Sequence, residues 1–402
     1  HPHELAPEGY ANDIPIHDER ELPRLIKQLA IDFVFFSYSD LSHVEVMHRA
    51  SIAQAAGASF VLLGPAHTAL VSRRKVVAIT ATRTGTGKSP LTQWLARSLV
   101  DEGVRLATLR HPMPYGNLRA QAVQRFATLA DLDLHDCTIE EREEYEPYVR
   151  QGLVIFAGVD YQAILEAAEA EADLILWDGG NNDFAFVKPD LNIVVCDALR
   201  AGHGLGYYPG ETNFRAADIV VINKTGQASP ADIEAVRALK AAINPAADLL
   251  TADLEVSVAE PDEVKGKRVL IVEDGPTVTH GGMGYGAGWV AAQKYGAGAV
   301  VDPRACAVGS LRDIYTEHPQ LLAVLPAMGY SEHQRRELKA TIEASGAELV
   351  LNASPADLAR LLALSLPTVQ VRYRFVPGQG VDLLARVRSL LSAGARLSPE
   401  GS

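Results

Sequence analysis

The run TRTGTGKS, Thr82 to Ser89, carries the group types that hold a polyphosphate: closely spaced glycines, a lysine and a hydroxyl. Glycine lets backbone N–H groups converge on phosphate oxygens, and a helix that follows aims its positive dipole end at the same anion. KVVAIT (75 to 80) supplies a strand before the turn, and Pro90 to Leu99 a helix after it, whose first turn tolerates proline. The nucleotide-binding set expected here is Arg83, Thr84, Gly85, Thr86, Gly87, Lys88 and Ser89, with Lys88 on the β- and γ-phosphates and Ser89 on Mg²⁺. Thr82 stands where the pattern G-x-x-x-x-G-K-[ST] wants its first glycine, and Arg83 either meets phosphate or lies in solvent. The plainer alternative is a glycine turn with a surface lysine.

Other groups fall at strand ends. DLILWDGGNND closes an apolar strand on Asp178, where an aspartate typically supports Mg²⁺, with Gly179 and Gly180 leaving room for phosphate. IVVINKT offers Asn223 and Lys224 to a nucleotide, but Gly226 stands where a guanine-selective carboxylate is wanted, which favours ATP or a relaxed base preference. Arg110 and His111 follow the strand at 105, at the carboxyl edge of an open sheet where ligands bind. His203, Glu211, Asn213 and Arg215 share a glycine-rich loop. A second glycine run, THGGMGYGAG, precedes a helical stretch from Trp289 to Tyr295, so backbone near His280, Gly281, Gly282 and Tyr285 is expected to approach a ligand, with the helix start favouring an anion; a structural hinge is the alternative. The acidic run TIEEREEYEPY (138 to 148) reads as a solvated helix with a capping box from Thr138 to Glu141.

Short Val- and Ile-rich bursts alternate with helical stretches along nearly the whole chain, the pattern of α/β domains with parallel sheets. Turn-rich stretches at SRRK (72 to 75) and AEPDEVKGK (259 to 267) divide it into an N-terminal α/β domain (1–73), a P-loop nucleotide-binding domain (74–262) and a C-terminal α/β domain with the glycine-rich loop (263–402). The expected architecture is a three-layer parallel-sheet P-loop NTPase domain flanked by smaller Rossmann-like α/β domains. A net charge of −13 argues against nucleic acid or an anionic membrane as partner. No apolar run reaches the length of a membrane helix, and three scattered cysteines suggest neither disulfides nor a zinc site, so cytoplasm is the expected compartment. The chain opens HPHELAPEGY without an initiator methionine, so residues are expected upstream.

The words YSDLSHVEVMHRAS, TRTGTGKS, RHPMPYGNLRAQAVQRFATL, WDGGNNDF, YYPGETN, EDGPTVTHGGMGYGAG and VLPAMGY, spread over positions 38 to 329, resemble the cyclic 2,3-diphosphoglycerate synthetase family of P-loop proteins. Thr82 belongs to that pattern. The resemblance implies an ATP- and Mg²⁺-dependent enzyme that closes 2,3-diphosphoglycerate into a cyclic phosphoanhydride with release of ADP and phosphate. It further implies a small anionic phosphorylated substrate and a homodimer. On matching positions it puts Gly85, Gly87, Lys88 and Ser89 on the triphosphate and Mg²⁺, Asp178 on the metal, and Arg110, His111, Glu211, His280 and Arg304 at the substrate. Lys88 with Mg²⁺ would then stabilise the moving phosphoryl group. The competing expectation is a nucleotide switch, a GTPase or ATPase that regulates a protein partner or metal delivery.

Overall fold

The computed structural model describes residues 14–113, 117–180, 183–279, 281–328 and 331–393. Its centre is the strand Lys75–Ala81, buried from Val76 onward and paired in parallel with Leu174–Asp178 on one side and Leu191–Asp197 on the other. Beyond Leu174–Asp178 come Leu106–Arg110, Ile155–Ala157 and Gln124–Phe126; beyond Leu191–Asp197 come Ile219–Asn223, Asp248–Val258, Thr368–Gly380, Leu349–Asn352, Arg268–Glu273 and Ala299–Val300. A short strand, Leu325–Pro326, joins Arg268–Glu273 to complete a 13-stranded sheet.

A parallel sheet must be covered on both faces, and alternation along the central strand does this here. Val77 and Ile79 pack with Leu91, Leu95 and Leu99 of the helix Lys88–Asp101, while Val76 and Ala78 pack with Ile164, Leu165 and Ala168 of the helix Tyr161–Glu171. Three layers result, as expected from sequence. A separate core gathers Leu270, Ile271, Leu349, Leu351, Leu338 and Ile342 in the C-terminal unit. The N-terminal unit is a two-stranded parallel sheet, Phe33–Phe36 with Ser59–Leu62, backed by the helices Leu22–Leu29 and His43–Ala56.

The chain's last segments cross the boundary expected at 262. Thr368–Gly380 pairs antiparallel with Asp248–Val258, and the helix Leu383–Ser392 returns to the phosphate-loop helix, where Arg388 bonds Glu102. Among the described residues, no helix is long and apolar enough to cross a membrane.

The acidic run forms the helix Ile139–Arg150 with the expected capping box, but it is not solvated. Glu140, Glu141, Arg142, Glu143 and Glu146 are all buried, because the helix packs between the sheet edge and the C-terminal unit.

Candidate active site

Only Gly85 and Gly87 of the phosphate loop have left-handed backbones, with φ of 76° and 99°; Thr82 needs no such freedom, so a side chain at the first motif position costs nothing. Behind the loop, three side chains take three successive carbonyls. Arg200 Nη2 donates to Thr84 O at 3.0 Å, Lys224 Nζ to Gly85 O at 2.7 Å, and Asn223 Nδ2 to Thr86 O at 2.7 Å. A planar trans peptide sets N–H opposite C=O, so these bonds turn the N–H groups of Gly85, Thr86 and Gly87 the other way. The hydroxyls of Thr84 and Thr86 are buried with no hydrogen-bond partner among the described residues. Loop, orphaned hydroxyls and helix start together form a cradle for an anion. Asn223, expected at the base, instead braces the loop from beneath, and Lys224 shares that role.

Gly85, Gly87, Lys88 and Ser89 line a cleft of about 1340 Å³ that reaches across to the C-terminal unit. Burial lowers the Lys88 ammonium to about 8, against the pull of Asp178 and Asp40. Asp178 lies fully buried beneath the loop and accepts from Tyr148 Oη at 2.8 Å, Thr92 Oγ1 at 3.3 Å and the Arg110 guanidinium. Arg110 also donates to Ser89 Oγ at 3.1 Å and pairs with Glu144. Burial pushes Glu144 up to about 7, even though Arg110 pulls the other way. Ser89 Oγ and the Asp178 carboxylate thus lie on the same Arg110 nitrogen; a hydroxyl and a carboxylate are hard oxygens of the kind Mg²⁺ takes alongside nucleotide phosphates, so the two residues fit that ion. Among the described residues, no group of three His, Cys, Asp or Glu side chains converges as an all-protein metal cage.

The far wall of the cleft is acidic, which sequence reasoning missed. Glu143 accepts from Ser354 Oγ at 2.5 Å and lies against Asp274. Burial and the neighbouring Asp274 raise Glu143 well above the usual carboxylate range, and burial also raises Asp274. Glu273 accepts N–H bonds from Gly286, Gly288 and Trp289 at 2.9 to 3.1 Å. It therefore fills the N-terminal end of the helix Ala287–Lys294, and burial still raises it to about 7. The anion expected at the second glycine run is thus the chain's own carboxylate: a Cβ on Gly286 would lie 2.5 Å from Glu273 Oε2. Burial and these carboxylates push the Tyr373 phenol, which also lines the cleft, far above its ordinary value.

No family model matches the sequence. The chain is 55% identical to the arginine synthetase ArcE of Thermococcus kodakarensis over 373 residues, which cover 93% of this chain and 83% of that protein. The chain belongs to the ArcE family of synthetases. It is an ATP-dependent synthetase. A cyclic 2,3-diphosphoglycerate synthetase of Thermococcus sibiricus is 30% identical over 130 residues, 31% of this chain and 29% of that protein, so the resemblance seen in the sequence holds for related synthetases as a group. Among solved structures, LpxK of Aquifex aeolicus in complex with ATP aligns over 81% of this chain and 90% of its own at 12% identity and a TM-score of 0.45. The hydrogenase maturation factor HypB of Archaeoglobus fulgidus aligns over 45% of this chain and 82% of its own at 18% identity and a TM-score of 0.30.

The synthetase does not bring every expected residue to the cleft. Thr84, Gly85, Gly87, Lys88, Ser89, Arg110, Lys224 and Tyr285 line it, with Asp178 directly beneath. Arg83 does not line the cleft: its guanidinium pairs with Asp40 at 2.9 Å and lies 3.7 Å over the Tyr207 ring. His111 sits behind Asp178 against Gly180, where a Cβ would strike its ring; burial and Arg110 lower it to about 3, so the imidazole is neutral. Gly180 thus makes room for His111 rather than for phosphate. Glu211 bonds Arg215 at 2.8 Å and faces His43 at 3.5 Å, outside the cleft lining. Arg304 is spent on Asp302 and the carbonyls of Leu321 and Leu322. Gly281 and Gly282 belong to a turn beside the loop, and His280 lies outside the described residues. Glu143, Glu144, Glu273, Asp274 and Tyr373 are the missed residues; for the first two the available signal was Ile139, Tyr145, Tyr148 and Val149 among the charges of 139–150, which suit a packed helix.

Proposed function

We propose that the synthetase forms arginine, using ATP to activate a ureido oxygen and an amine nitrogen to displace it. The observation that carries this reading is the acidic wall of the cleft: the carboxyls of Glu143, Glu144 and Asp274 suit a substrate rich in N–H donors. A bisphosphorylated acid would find no cationic partner among these carboxyls, which weighs against cyclisation of 2,3-diphosphoglycerate. The name of the 55%-identical relative supports the same product. Membership in a synthetase family sets aside a pure nucleotide switch.

The guanidinium carbon of arginine is at the oxidation level of a urea, so one of its C–N bonds can be made from the ureido analogue, citrulline. The ureido oxygen attacks the γ-phosphorus, an O–P bond forms, and ADP leaves. Ammonia then bonds to the activated carbon, phosphate departs with the former ureido oxygen, and a nitrogen proton is lost. Loop N–H groups and Lys88 hold the phosphates, and Arg110, already on Ser89, offsets charge on the moving phosphoryl group. Glu144, near 7, is able to take the proton of the incoming nitrogen at neutral pH. Ser89 and Asp178 would hold Mg²⁺, which when bound neutralises charge on the phosphate oxygens.

The test is product analysis with ATP and Mg²⁺ in three mixtures: citrulline with ammonium, 2,3-diphosphoglycerate, and no second substrate. Arginine and ADP in equal amounts from the first mixture are expected. A cyclic phosphoanhydride from the second, with no arginine from the first, would overturn the reading.

A further inference from the structure

Of the three side chains that brace the phosphate loop, only one also reaches the opposite wall. Arg200 donates from Nη2 to Thr84 O at 3.0 Å and from Nη1 to Gly281 O at 2.7 Å. Its Nε bonds Asp197 at 3.0 Å. Asp197 in turn holds Lys224 at 2.9 Å, whose ammonium is on Gly85 O. Burial would raise Asp197, but Lys224 and Arg200 more than offset it and keep the carboxylate ionised. The contact between the walls is direct as well: a Cβ on Gly85 would approach Thr277 Cγ2 to 3.3 Å, and one on Gly281 would approach Thr84 O to 3.2 Å. Thr277 donates to Asp274, the carboxyl that faces Glu143.

A guanidinium is a planar fork whose donors keep fixed relative directions. One fork on two carbonyls therefore sets the phosphate loop and the backbone at Gly281 in one relation. We propose that Arg200 is a positioning residue that carries nucleotide occupancy of the phosphate loop to the turn holding Asp274, and so to the acidic wall. A phosphate bonded to the N–H of Gly85 polarises the same peptide's carbonyl, that of Thr84, and strengthens its bond to Arg200. The second prong then holds Gly281 more firmly, which steadies Thr277 and Asp274. Coupling of this kind is reciprocal, so an occupant of the acidic wall tightens nucleotide binding by the same factor. The proposal rests on the reading that the loop holds ATP.

Hydrogen exchange with a non-hydrolysable ATP analogue and Mg²⁺ tests it. The amides of Thr279 and Gly282 donate to Gly275 O and Thr279 O, so they report opening of the turn, and the amide of Leu91, bonded to Gly87 O, reports the loop itself. In the unaltered protein the analogue should slow exchange at all three, by about tenfold at the turn, within the usual range of coupling factors. In Arg200→Gln, Leu91 should still be protected while Thr279 and Gly282 are not, kcat should fall, and the second substrate should no longer lower KM for ATP. Arg200→Lys keeps the charge but reaches one carbonyl at a time, so it should restore part of the turn's protection. Should the glutamine variant fail to fold, reduced turn protection in the lysine variant decides the matter. Equal protection of the turn in all three proteins, or analogue protection of Leu91 without any effect at the turn in the unaltered protein, would overturn the proposal. Protection at none of the three amides would instead remove the ATP-loop reading beneath it, and the proposal with it.

Discussion

Replacing Lys88 with methionine should stabilise the nucleotide-free synthetase while abolishing its ATP-dependent turnover. Lys88 is 7% exposed, and burial brings its ammonium from 10.5 to about 8 after the attraction of Asp178 and Asp40 is included. That drop corresponds to a cost of ~3 kcal/mol for keeping the charged form folded near neutral pH. Because the folded value lies below the unfolded one, the cost is fully present below about 8 and fades as pH rises toward 10.5, where the unfolded chain also loses its proton. Methionine has similar length without the charge. Lys88→Met should therefore melt roughly 3–4 °C higher at about pH 7 and show a much smaller gain at about pH 9.5. Differential scanning calorimetry without nucleotide measures both, and adding ATP with Mg²⁺ should raise the melting temperature of the unaltered protein only. A variant that melts at or below the unaltered protein at neutral pH, or whose advantage does not shrink with pH, would refute this account of an ammonium whose burial outweighs the attraction of Asp178 and Asp40.

Arg110→Gln should lower kcat by roughly 100- to 1000-fold, the usual loss for a preorganised donor at a phosphoryl group. The same change should destabilise the free protein by ~3 kcal/mol, because Asp178 and Glu144 lose a buried counter-ion, measurable by urea titration. With Glu144 raised to about 7 and needed ionised, and Lys88 lowered to about 8 and needed protonated, kcat/KM for ATP should climb through about 7 and decline above about 8. Glu144→Gln should remove the rising limb and leave the falling one. Glu143→Gln should raise KM for the nitrogen-bearing substrate about tenfold with little change in KM for ATP, since Glu143 lies on the far wall; equal changes in both constants would count against that placement.

Much of the fold was legible because buried parallel strands are short β-branched runs, and KVVAIT, DLILWD, LNIVVCD and DIVVIN all became central strands. The 11-residue strand Asp248–Val258 was not, since Asp248, Thr251, Asp253, Glu255 and Ser257 interrupt its apolar pattern and only Leu250, Ala252, Val256 and Val258 are buried. At the site, the phosphate loop and Asp178 were readable from local spacing. Arg200 and the carboxylate wall were not, because their roles arise from contacts between residues 81 and more than 100 positions apart, which no local pattern records. The acidic helix misled for a related reason: its charges look like a solvent face until Ser354 and Arg110 arrive to bury them.

The antiparallel pairing of Asp248–Val258 with Thr368–Gly380 has a mechanical consequence. It welds the sheet beneath the phosphate loop to the sheet that bears Asp274, so the two walls of the cleft are outgrowths of one continuous slab. Two such halves cannot swing shut like jaws on a flexible hinge without tearing backbone hydrogen bonds along the seam. Motion during turnover is left to what stands above the slab, the loops and long side chains, for even at the register shift between Leu250 and Ala252 the Thr251 hydroxyl bridges the seam to both the N–H and the carbonyl of Gln379.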